Sequence, residues 1–196
     1  MGIRVNFLRL VILLTFTGIK LNAEADESPD YTQYVHEVTS SFLKQVYKEF
    51  GFECGASGGE MPYDVEVISV KLVAYRAATI EEAREFEILL TEKFAQIINA
   101  HEKIRPFLRE CPFPSNRAHV AISFRKPRKK GSFSPEDDVT FVFQAKNKIF
   151  YQKDTPGTLY GYVNLKDEPY EEARKIVQEN TLKASPQKSP KSGSGI

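Results

Sequence analysis

A helix-start signal and the long apolar stripe behind it constrain this chain most. Thr79 followed by Glu82 has the capping-box pattern, in which each side chain can satisfy the other residue's free backbone N–H. Ile80, Ala83, Phe86, Leu90, Phe94, Ile97, Ile98 and His101 then recur at steps of three and four, which predicts one helix of about six turns. Glu81, Glu82 and Glu85 suit the positive end of its dipole, and Pro106 stops the pattern. A helix this long must lay its stripe on something, so its neighbours decide the fold class.

Those neighbours alternate. Residues 64–76 form a predicted strand with Ile68, Val70, Leu72 and Ala74 on the more apolar face. Residues 118–124 put Val120, Ile122 and Phe124 inward, leaving His119, Ala121 and Ser123 outward, and residues 139–145 are expected to put Val139, Phe141 and Phe143 inward. Lys146-Asn147-Lys148 suits a tight turn, residues 149–152 return, Thr155-Pro156-Gly157 marks a second turn, and residues 159–163 make a last strand. Upstream, residues 31–50 carry a second helical stripe that Gly51 can close, followed by the glycine-rich loop GFECGASGGEMPYD. Downstream, Asp167 is expected to cap a final helix with Pro169 in its first turn and Tyr170, Ala173, Ile176 and Val177 on one face. The expected fold is a two-layer α+β domain. A mostly antiparallel sheet of four to five strands, mixed if residues 64–124 form a strand–helix–strand crossover, packs against a long central helix and two shorter ones.

The ends differ from this domain. Arg4, then an apolar stretch from Phe7 to Ile19 broken only by Arg9, Thr15, Thr17 and Gly18, then Leu21-Asn22-Ala23, has the order of a secretory signal. The stretch is short of the roughly 20 residues a membrane span needs, so residues 1–23 are expected to be a cleaved leader and the remainder not an integral membrane protein. Cleavage removes Arg4, Arg9 and Lys20, which takes the basic count from 27 to 24 against 26 acidic residues. Such a balance points no global field at nucleic acid, which is not an expected partner. Residues 182–196 are rich in Lys, Ser and Pro and cannot bury enough surface to offset their ordering entropy, so a solvated tail is expected. Between them, residues 24–181 make one domain of a secreted or periplasmic protein.

Candidate sites are few. Cys54 and Cys111 form an even pair, for which an oxidising compartment suggests a disulfide; the other reading is two thiols that never meet. His36-Glu37 and His101-Glu102 lack the second histidine four residues on that a zinc-protease helix needs. The loop glycines lie between a helix and a strand, the reverse of a phosphate-cradling order. With Phe52, Gly58, Gly59, Met61 and Tyr63, that loop is a candidate contact site. The densest charge, Arg125, Lys126, Arg128, Lys129 and Lys130, is a candidate contact for an anionic surface, and would allow envelope association. The pairs Glu81-Glu82 and Glu171-Glu172 fit first-turn dipole compensation better than glycosidase chemistry, which needs carboxylates facing across a cleft. No catalytic, metal or cofactor motif is complete. The expectation is therefore an exported, non-catalytic protein that binds a protein or an anionic surface. The alternative is a small secreted hydrolase or metal enzyme using His101, His119 or Cys111.

Overall fold

The computed structural model describes residues 31–125, 139–155 and 161–184. The expected leader, residues 126–138 with most of the basic run, and the tail beyond residue 184 lie outside them.

Helix α1 (Tyr31–Phe50) ends as its sequence requires, with Gly51 at φ 70° and its N–H donating to the Tyr47 carbonyl at 2.9 Å. Strands β1 (Glu53–Glu60) and β2 (Val67–Ala74) follow, then helix α2 (Ile80–Ala100), β3 (Ala118–Phe124), β4 (Phe141–Ala145), β5 (Lys148–Asp154), β6 (Tyr162–Pro169) and helix α3 (Tyr170–Ala184). The six strands lie in chain order across one sheet. All neighbours are antiparallel except β2 and β3, which are parallel because α2 carries the chain back between them. The fold is thus α+β with a mixed sheet, one strand larger than the upper expectation. Among the described residues no helix is long and apolar enough to cross a membrane.

The capping box at the start of α2 forms as read. The Thr79 hydroxyl accepts from the Glu82 N–H at 3.2 Å, and the Thr79 N–H donates to Glu82 Oε2 at 3.0 Å. Helix α2 is the axis of the helical layer. It lies across β3, β4 and β5, with α1 on one flank and α3 on the other. One core joins Val38, Phe42 and Val46 of α1, Leu90, Phe94 and Ile98 of α2 and Ile68, Leu72, Ile122, Val142 and Ile149 of the sheet. Phe42 and Phe94 stack within it, their ring centres 4.5 Å apart.

Three expectations need correction. The glycine-rich stretch is a strand, not a loop. Its sequence does not alternate because neither side of β1 is covered, and all eight of its residues are exposed. The glycines are needed where β1 closes on β2, since a Cβ on Gly59 would stand 2.2 Å from the Val67 carbonyl oxygen. The last strand runs to Pro169, so Asp167 caps no helix; it sits in β6 and binds Lys148 at 2.8 Å. Helix α3 then starts at Tyr170, whose N–H donates to the Asn147 carbonyl, and it continues past Leu182 to Ala184.

The third correction is to β4, which faces the other way. Val142 and Gln144 point into the core and Phe141 and Phe143 point out. In FVFQA both phases offer apolar side chains, so alternation could not choose, and a slip of one residue exchanges the faces. The choice is made by pairing: Ile122 opposes Val142, which in turn opposes Tyr151. The turn at Lys146 and Asn147, at φ 49° and 60°, is the tight hairpin expected there.

Candidate binding face

All three helices cover one side of the sheet, so the outward residues of β1 to β6 form a second surface. The strand register arranges them in rows. One row runs Gly58, Ser69, His119; the next runs Ala56, Lys71, Ala121, Phe143, Phe150, Asp167; a third runs Val73, Ser123, Phe141, Gln152, Asn164. Small side chains on β1 to β3 leave a floor, and the large rings of β4 stand above it as a wall. The result is an open groove of about 330 Å³.

The wall is aromatic. Phe141 and Phe143 stack at 5.2 Å, Phe143 and Phe150 at 5.3 Å with planes 16° apart, and Tyr162 approaches Phe141 at 5.8 Å. Such ring pairs contribute about 0.5–1.5 kcal/mol beyond area burial. Lys71 holds its ammonium 4.9 Å from the centre of the Phe141 ring, a cation–π contact. At the far end of the groove, His119 Nε2 lies 2.9 Å from the Asn116 carbonyl oxygen. A carbonyl only accepts, so Nε2 carries the hydrogen and Nδ1 is left for another partner.

A different chemistry lies under the sheet, against α2. Arg84 grips Glu168 with two guanidinium nitrogens at 2.6 and 3.2 Å, Tyr151 donates to the same carboxylate at 2.5 Å, and Lys166 adds a contact at 2.8 Å. Burial works against charge on Glu168, but the bonds from Arg84, Lys166 and Tyr151 outweigh it and hold its pKa at about 2. Burial and the bond to Glu168 push the Tyr151 hydroxyl up. One turn beyond Arg84, Glu87 is wholly buried with neither carboxylate oxygen hydrogen-bonded, and Thr91 Oγ1 and Gln144 Oε1 are also buried without partners. Burial alone raises the Glu87 pKa well above the usual carboxylate range.

The sequence-derived candidates are dispersed by the fold. Cys54 and Cys111 are both exposed and free, which corrects the expected disulfide. The register explains why. Cys54 opposes Leu72, whereas the segment leading to Cys111 runs beside Val65 through the Val65–Leu108 bridge. Cys54 is thus tied near the end of β2 and the segment before Cys111 ahead of its start, whereas a disulfide needs the two Cα atoms within roughly 7 Å. His101 ends α2 in the helical layer, where its Nε2 lies 3.0 Å from Glu37 Oε2 and its ring packs against Tyr34. His119 is on the opposite side of the sheet, so His101, His119 and Cys111 do not converge. Among the described residues no three histidine, cysteine or carboxylate side chains gather as a metal site.

The loop candidates also divide. Phe52 is 4% exposed and packs against Phe50 and Phe86, so it is core and not contact surface. Met61 is half-buried against the core, Gly58 and Gly59 lie on the exposed edge strand, and Tyr63 is 90% exposed. Of the basic run only Arg125 lies within the described residues, where it is exposed; Lys126, Arg128, Lys129 and Lys130 lie outside them.

Alternation in β2 put Lys71 on its less apolar face, but sequence reading did not identify Phe141, Phe143 or Phe150 as surface groups or bring Lys71 to them. The one available signal was Gln144: its burial would have turned the two phenylalanines outward, but a glutamine in a strand is ordinarily taken as the solvent side. Comparison with protein-family models, with curated proteins and with solved structures gave no match.

Proposed function

We propose that this chain is an exported, non-catalytic binding protein and that its working surface is the open face of the sheet. One observation carries the reading: the rings of Phe141, Phe143, Phe150 and Tyr162 form a continuous belt on the side that no helix covers. Three of these rings are half-buried and Tyr162 is exposed, so they lose part of the stabilisation that full burial gives, and a clustered apolar surface of this kind marks recognition more often than architecture. The amino-terminal signal pattern supports export, and the near-balance of basic and acidic residues supports recognition by shape and apolar contact rather than by a broad field.

Two measurements test it. Amino-terminal sequencing of native material is expected to begin at Glu24; an intact leader on material from the cytosol would refute export. Backbone amide shifts recorded against a panel of small apolar, anionic and carbohydrate compounds are expected to move on β2, β3 and β4. Shifts confined to the helical layer would refute the assignment of the face.

A further inference from the structure

Building on the open-face reading, we infer that the groove takes a small aromatic carboxylate, with the ring against the phenylalanine wall and the carboxylate against Lys71. Shape and charge argue for this jointly. The floor between β1 and β4 is made of Ala56, Gly58, Ser69 and Ala121, so a flat group can settle beside the Phe141 and Phe143 rings. Flat rings pack on rings in offset or tilted geometry.

Lys71 supplies the charge. Its sheet neighbours in the same row are Ala56 and Ala121, and its recorded partner is the face of Phe141. The carboxylates of this face stand elsewhere. Asp167 is joined to Lys148 at 2.8 Å, while Glu53 and Glu60 occupy the two ends of β1. Among the described residues no carboxylate forms an ion pair with this ammonium, which lies against an aromatic ring above a floor of small side chains. A bound carboxylate would supply a charge-assisted partner there. His119, fixed through Nε2 to Asn116, leaves Nδ1 for a polar substituent at the opposite end of the ligand.

The probe is 2-naphthoate, with the neutral isostere 2-naphthamide beside it. They are titrated into the full mature chain and followed by calorimetry and by backbone amide shifts. The carboxylate is expected to bind at least tenfold more tightly than the amide and to shift residues 69–71, 119–121 and 141–143. Lys71→Met is expected to abolish that tenfold preference, Lys71→Arg to keep it, and Phe143→Ala to weaken both probes. Lys71 lies on the solvent side of β2, and circular dichroism of each variant checks that the fold is kept. Equal binding of the two probes on these residues would overturn the charge assignment and leave the face standing. Shifts on other surfaces, or none at millimolar probe, would overturn the groove itself.

Discussion

Glu87→Gln isolates the least comfortable group in the core. The glutamate side chain is wholly buried, both its oxygens lack hydrogen bonds, and burial raises its pKa well above 4.5. The folded state therefore keeps this proton at pH values where the unfolded chain has lost it. Stability from Glu87 is present in full below about pH 4.5. It falls as pH rises towards the folded-state value, by about 1.4 kcal/mol for each pH unit between the two. Glutamine has the same shape and no charge to lose, so its stability carries no such slope. Urea unfolding of both proteins at half-unit steps from pH 5 to pH 8 reads the difference directly. The variant is expected to gain on the wild type as pH rises, by about 1.4 kcal/mol per unit at first and then levelling where Glu87 ionises in the folded chain. Other titrating groups act on both proteins alike and cancel. A difference that is flat with pH would refute the reasoning, and one that favours the wild type increasingly with pH would show Glu87 to be ionised and stabilised in the folded state.

Glu168 works with the opposite sign. Its folded pKa of about 2 lies below the ordinary value, so its contribution is present above about pH 4.5 and is lost as pH falls towards 2. Glu168→Gln is expected to flatten that acid limb and, by leaving buried Arg84 without its counter-charge, to cost about 3–5 kcal/mol at pH 7, measured by urea unfolding across pH 2–7. Phe42→Ala removes a wholly buried ring stacked on Phe94 and is expected to cost about 3–5 kcal/mol in the same assay. Thr79→Ala removes the hydroxyl of the capping box and is expected to cost about 1 kcal/mol. Titration with a thiol reagent under native, non-reducing conditions is expected to find two reactive groups per chain, because Cys54 and Cys111 are both exposed and free; none would mean that they are joined.

Local chemistry made much of this protein legible before any fold was in hand. The capping box at Thr79 and Glu82, the stop at Gly51 and the turn at Lys146-Asn147 each depend on one or two residues and their own backbone. The inward face of β2 and the outward placement of His119 followed from clear alternation. These features need only neighbours in sequence, which a sequence displays.

What failed depended on partners far along the chain. The stripe assigned to α2 omitted Arg84, Glu87 and Thr91, all of which are buried, because a helix flanked by α1 and α3 and lying on a sheet hides a wider arc than a surface helix. Strand β1 is stabilised by pairing with β2 and by little of its own propensity, so its sequence resembled a loop. The phase of β4 was open because both of its faces are apolar, and only registration on β3 and β5 turned Phe141 and Phe143 outward. The sequence by itself thus determined α1, α2, the Lys146-Asn147 turn and the fold class, since these rest on short-range periodicity and local backbone preference. Only the tertiary structure decided which rings face water and where Lys71 stands among them, because strand register is a long-range contact between segments that carry no mark of each other.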